Sequence, residues 1–124
     1  MCVKVFLAEG AEVMRKAIRH LLSECEDITV VGEATTLSEA IQKSAELQPD
    51  EIIFDLHMAD GAKQHLFNGT KLLAMSFAND DEAAALAYKI GAAKLLDKLE
   101  LANELIPAIL ELAPVASRTD SNRG

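Results

Sequence analysis

Ile52-Ile53-Phe54-Asp55-Leu56-His57-Met58-Ala59-Asp60-Gly61 is the stretch whose reading decides the fold of this 124-residue chain. Ile52, Ile53 and Phe54 form an apolar run with no polar alternation, the pattern of a strand covered on both faces, as in a parallel sheet. Asp55 stands where the run stops, so a carboxylate is held at the tip of a central strand. A strand-end aspartate also starts turns and caps helices. Which role applies depends on whether the other strand ends bring matching chemistry.

Outward from this strand, the flanking segments alternate between strand and helix patterns. Val3-Lys4-Val5-Phe6-Leu7-Ala8 reads as a first strand ending at Glu9-Gly10. Val13, Met14, Ala17, Ile18, Leu21 and Leu22 then recur at three- and four-residue spacing, which predicts a helix over about 11–24 with that stripe on the core. A second strand follows at Ile28-Thr29-Val30-Val31-Gly32-Glu33-Ala34. Thr36-Leu37-Ser38-Glu39 has the form of a capping box and opens a helix carrying Leu37, Ala40, Ile41 and Leu47, stopped by Gln48-Pro49-Asp50.

Beyond the central strand the pattern fails between Gly61 and Thr70. Ala62-Lys63-Gln64-His65-Leu66-Phe67 offers one short helical turn at most, and Asn68-Gly69 is a turn signal. Lys71-Leu72-Leu73-Ala74-Met75-Ser76-Phe77 is the fourth strand. Asn79-Asp80-Asp81-Glu82 places caps and acids at a helix start, and Gly91 ends that helix. Lys94-Leu95-Leu96-Asp97 is a short fifth strand leading to Lys98. A last helix over about 101–113 turns Leu101, Leu105, Ile109 and Leu112 inward, with Pro107 requiring a late start or a bend.

Composition fits one domain over 1–114 with a frayed tail at 115–124, and with nothing beyond it no output domain is expected. Half of the residues are apolar and only 4% aromatic, so the core is expected to be tightly packed Ala, Leu, Ile and Val. Neither a membrane span nor a signal peptide is visible, which points to the cytoplasm. Cys2 and Cys25 lack metal-ligand spacing and read as reduced thiols. A formal net charge of −8 without a basic cluster argues against direct nucleic-acid binding or an anionic membrane surface.

Five strands alternating with helices specify a three-layer α/β fold with a parallel sheet, whose strand C-termini share one edge. Glu9, Asp55, Ser76 and Lys98 all fall at that edge. Two carboxylates, a hydroxyl and an ammonium are what a phosphoryl site with a divalent cation requires: hard oxygen ligands for the metal, a donor and a positive charge for the phosphate.

With these residues placed, the chain resembles the receiver domain of bacterial response regulators. The resemblance runs from Val3 to Leu112 and rests on Ala8-Glu9-Gly10, Val31-Gly32-Glu33-Ala34, Ile53-Phe54-Asp55-Leu56-His57-Met58, Met75-Ser76-Phe77-Ala78, Gly91-Ala92 and Leu96-Asp97-Lys98. It implies a flavodoxin-like (βα)5 doubly wound fold with strand order 2-1-3-4-5. Asp55 is then the phosphoacceptor, taking a phosphoryl group from a histidine kinase, a phosphotransfer protein or a small phosphodonor. Glu9, the Asp55 carboxylate and the backbone carbonyl of His57 hold Mg²⁺, while Ser76 and Lys98 bind phosphoryl oxygens. Output passes to a downstream protein through the face made by the fourth helix of the family, the fifth strand and the last helix, and pairing of two copies through the last two helices is a common route. Any enzymatic activity is limited to self-phosphorylation and self-dephosphorylation.

Four departures from the family pattern stand out. Gly10 replaces a second acid, so a magnesium ligand is missing, although Glu9 is one methylene longer than the usual aspartate. The interval from Asp55 to Ser76 is short by ~2 helical turns, so the third helix is expected to be shortened or absent, leaving that side of the sheet exposed or covered by a partner. Leu95 stands where an aromatic switch residue is usual, and Leu99 follows Lys98 in place of a proline, so a trans bond is expected. His20 reads as a surface residue, His57 as a neighbour of the phosphoryl site, and His65 as a loop residue within reach of Asp55 or exposed. Two function classes follow: a stand-alone phosphoacceptor, or a pseudo-receiver that keeps the scaffold as an interaction or dimerisation module after its metal chemistry has decayed.

Overall fold

The computed structural model describes residues 2–62, 64–67 and 69–114. Five parallel strands form one sheet in the order β2-β1-β3-β4-β5: β1 Val3–Ala8, β2 Ile28–Ala34, β3 Glu51–Asp55, β4 Lys71–Ser76 and β5 Ala92–Asp97. Among the described residues three α-helices lie in the connections, α1 Glu12–Ser23, α2 Leu37–Leu47 and α3 Asp81–Lys89, and a fourth, α4 Leu101–Glu111, follows β5. The tail expected at 115–124 lies outside the described residues.

Burial explains the strand sequences. Val5, Phe6, Leu7 and Ala8 of β1 and Ile52, Ile53 and Phe54 of β3 are fully buried, as strands covered on both faces must be. One core packs α1 and α4 against Val5, Leu7, Ile53, Leu73 and Met75. The other packs α2, α3 and the β3–β4 connection against Phe6, Phe54, Leu72 and Ala74. Ala8 of β1 stands beside Phe54 of β3. Because β2 and β3 leave β1 on opposite sides, the loops after β1 and β3 diverge and open a crevice at the C-terminal edge.

Helix ends follow the caps read from the sequence. Thr36 Oγ1 accepts the Glu39 amide, and the Thr35 amide donates to the Glu39 carboxylate, which holds that carboxyl below its usual value. Asp80 Oδ1 accepts the Ala83 amide at the start of α3, and Gly91 ends the turn after α3 with φ of 85°. α4 does not start late: it begins at Leu101 and runs through Pro107, which leaves the Asn103 carbonyl without its intrahelical donor.

Several expectations are corrected. Val13 and Ala17 are exposed, because the strip of α1 facing the sheet is centred on Ile18 and Leu22. On α2 the small residues Ala40 and Ser44 make the close contact, so Ile41 and Leu47 stay 41% and 44% exposed. β4 stops at Ser76, and Phe77 turns outward. Between β3 and β4 lies only a four-residue 3-10 turn, Leu56–Ala59, and no α-helix among the described residues. The sheet is nevertheless not bare there: Leu66 and Phe67 fold over it, with the Phe67 ring edge-on to Phe54 at 5.6 Å.

Candidate functional site

Glu9 follows the last residue of β1, and its side chain is 1% exposed. Its carboxylate accepts the Ala11 amide at 3.0 Å, just ahead of α1, where the positive end of the helix dipole favours an anion. Arg15, one turn into α1, donates to the Glu9 carbonyl at 3.0 Å and pairs with Glu33 at 3.3 Å. Glu9 is thereby fixed from both its backbone and its side chain.

Asp55 ends β3, and its Oδ1 accepts the His57 amide at 3.1 Å, starting the 3-10 turn. This aspartate thus caps a turn and also faces the crevice. Lys98 reaches the same place from the far strand. Asp97 caps a short turn, Lys98–Glu100, by accepting the Leu99 amide at 2.9 Å, and this directs the Lys98 side chain back over the sheet edge. Its ammonium lies 2.8 Å from Glu9 Oε1 and 3.3 Å from Asp55 Oδ1, and 5.2 Å from the centre of the Phe77 ring. At 6% exposure this lysine is a buried counter-ion rather than a surface charge.

Ser76 closes the set at the end of β4. Its hydroxyl accepts the Ala78 amide at 3.0 Å and faces the same cavity. That cavity, about 320 Å³, is bordered by Glu9, Asp55, His57, Ser76, Phe77 and Lys98 together with Ala11 and Ala78. All the residues singled out at strand ends are thus gathered around one hollow. His57 is exposed at its rim, His20 is a surface residue, and the Lys98–Leu99 bond is trans. His65 does not approach Asp55, because it packs over Gly91, ahead of β5 and at the opposite edge of the sheet.

For a divalent cation the available donors are hard oxygens: the carboxylates of Glu9 and Asp55 and the carbonyl of His57. The set fits Mg²⁺ in chemical type but is partly engaged. Glu9 meets Lys98 with one oxygen and Ala11 with the other, and the His57 carbonyl accepts the Asp60 amide at 3.3 Å. Gly10 offers no side chain, and no cluster of three or more acidic, histidine or cysteine ligands is found among the described residues.

Sequence reasoning missed Arg15, Phe77 and the capping role of Asp97. The Asp before Lys98 is a legible N-cap signal, whereas the outward turn of Phe77 and the reach of Arg15 depend on packing between distant segments.

Comparison with known proteins agrees with this fold. The pattern of the response regulator receiver domain matches residues 5–110. The chain is similar to the nitrate/nitrite response regulator NarL of Escherichia coli K12, 29% identical over 117 residues, covering 88% of this chain and 54% of that protein. Over 60 residues, 48% of this chain, it is 45% identical to the response regulator VraR of Staphylococcus epidermidis, of which this is 29%. The chain therefore spans about half or less of these relatives. Among solved structures, the receiver domain of the putative response regulator NarL from Mycobacterium tuberculosis superposes with a TM-score of 0.79 at 23% identity, covering 89% of this chain and 94% of that one. The response regulator domain of Thermotoga maritima CheB gives 0.74 at 20% identity, with 90% and 96% covered.

Proposed function

The chain belongs to the response regulator receiver domain family, and on that premise we propose that Asp55 accepts a phosphoryl group from a histidine kinase, a phosphotransfer protein or a small phosphodonor. A carboxylate oxygen of Asp55 attacks phosphorus in line. The bond from phosphorus to the donor nitrogen or oxygen breaks, and the leaving group keeps its electron pair. Lys98 moves from the Asp55 oxygen to a phosphoryl oxygen, and the Ser76 hydroxyl donates to another. Glu9, Asp55 and the His57 carbonyl would hold Mg²⁺, which would supply charge neutralisation there. The observation that carries this reading is the buried Lys98 ammonium lying between Glu9 and Asp55, in one cavity with Ser76.

The phosphorylated state then alters the face formed by α3, β5 and α4, where a downstream protein or a second copy of the chain docks. Tyr88, 84% exposed on α3, supplies a large apolar contact on that face. The setting that suits this chemistry is the cytoplasm, where Cys2 and Cys25 stay reduced; no described helix is long and apolar enough to cross a membrane.

A second reading has its own support. Lys98 and the Ala11 amide already satisfy both Glu9 oxygens, and Gly10 adds no acid, so Glu9 is partnered without a metal. In that reading the chain is a phosphorylation-independent interaction or dimerisation module. Incubation with acetyl phosphate, with and without Mg²⁺, separates the two by intact mass. A phosphate-sized increment that needs Mg²⁺ and disappears in Asp55→Asn supports the phosphoacceptor, and an unmodified parent supports the module.

A further inference from the structure

Glu51 opens β3 at the edge of the sheet opposite the phosphoacceptor, and the chemistry proposed above makes no use of it. Its carboxyl is fully buried, and neither oxygen has a hydrogen-bond partner among the described residues. Burial pushes the group from 4.5 up to about 8, with Lys71 opposing the rise and Asp50 adding to it. Near neutral pH the folded protein therefore holds Glu51 uncharged.

In the parallel register Glu51 stands between Val5 of β1 and Lys71 of β4. Residues side by side in register project from the same face of the sheet, so the Lys71 side chain starts alongside the carboxyl. Its ammonium is turned elsewhere, however, and donates to the Leu112 carbonyl at 3.0 Å. Leu112 caps α4, and its carbonyl is one of the groups a helix end leaves without an internal donor.

We propose that Glu51, Lys71 and the Leu112 carbonyl form a proton-gated latch that ties the end of α4 to the sheet. While Glu51 is neutral, Lys71 serves Leu112. Once Glu51 loses its proton, carboxylate and carbonyl compete for the same ammonium, and the ionised acceptor makes the stronger hydrogen bond. Lys71 turns inward, the carbonyl is released to water, and the last turn of α4 loosens.

Of the other charged groups on the surrounding elements, Asp50, Glu111 and Glu24 each have a partner among the described residues. Asp50 accepts the Lys4 amide at 2.8 Å, Glu111 on α4 pairs with Lys94 at 2.7 Å, and Glu24 beyond α1 lies 3.8 Å from His20. Lys4 itself is exposed on β1, one residue from Val5 and so on the other face. Lys71 is thus the cation placed to answer Glu51.

The test is amide hydrogen exchange at Leu112 and Ala113, which donate to Ala108 and Leu110, between about pH 6 and about pH 9.5 with base catalysis corrected. The Glu51 carboxyl is titrated by NMR in parallel. Protection should fall roughly tenfold as Glu51 ionises. In Glu51→Gln it should stay high throughout, and in Lys71→Met it should be low at every pH. The same pH step in Glu51→Gln, full protection in Lys71→Met, or no step in the parent would overturn the latch. Should Glu51→Gln fold poorly, Glu51→Met removes the titrating group in the same way.

Discussion

Replacing Lys98 by methionine removes the ammonium while keeping most of the side-chain stem beneath Phe77. In the parent that ammonium is 2.8 Å from Glu9 and 3.3 Å from Asp55, and the three side chains are 6%, 1% and 15% exposed. Without it, two carboxylates share a poorly hydrated crevice with no counter-charge. Removing one partner of a buried ion pair costs about 3–5 kcal/mol, and because Asp55 retains some access to water the lower end applies, about 3 kcal/mol. For a domain of this size that is a fall in Tm of about 12 °C, at about 4 °C per kcal/mol. Urea and thermal unfolding in chelator read the loss directly. Added Mg²⁺ should then stabilise Lys98→Met more than the parent, since the cation meets the same carboxylates without a competing ammonium. A loss below about 1 kcal/mol, the range of an exposed ion pair, or equal stabilisation of both proteins by Mg²⁺, would refute the description of Lys98 as the internal counter-ion of the site.

Other perturbations read separate parts of the structure. Glu51 has a folded value raised from 4.5 to about 8, so between those two points the unfolded chain has released a proton that the folded chain keeps. Stability is therefore full below about pH 4.5, falls by up to about 1.4 kcal/mol per pH unit, and levels off above about pH 8. Glu51→Gln should remove that slope and be the more stable protein at pH 8, by at most about 5 kcal/mol; urea midpoints that track the parent at every pH would contradict this. Gly10→Asp restores a second acid where a Cβ would sit 3.3 Å from the Thr35 carbonyl, close enough to need only a small shift. It should tighten Mg²⁺ binding about tenfold by calorimetry, and an unchanged affinity would mean that Gly10 is not what the metal site lacks. Gly91→Ala forces a side chain into φ of 85° with its Cβ 2.9 Å from His65. A loss of about 2 kcal/mol is expected, and a neutral urea midpoint would show that His65 yields freely.

The sheet was legible because its strands are covered on both faces: Ile52 to Phe54 and Val5 to Ala8 have no polar member to confuse the period. Caps were legible because Thr36, Glu39 and Asp80 act on amides three or four residues away. The site residues followed from topology alone, since a parallel sheet aligns its strand ends. What escaped depends on distant segments. Glu51 looks like a polar flank of the strand, and only the register that places it between Val5 and Lys71 shows it to be buried. His65 carries no local sign that it will cover Gly91. The outward positions of Val13, Ile41 and Leu47 follow from how each helix is rotated on the sheet, which apolar spacing only approximates. The short β3–β4 connection was visible as a broken pattern, but its use of Leu66 and Phe67 to cover the sheet was not.

Borohydride trapping of the acyl phosphate addresses the phosphoacceptor assignment most directly. After incubation with phosphodonor and Mg²⁺, reduction converts a phosphorylated aspartate to homoserine, and peptide mass spectrometry locates the change. Homoserine at position 55 alone, abolished by chelator, is the expected result. Homoserine at Asp60 or Asp97, or none at any position in a folded and metal-supplied sample, would contradict it.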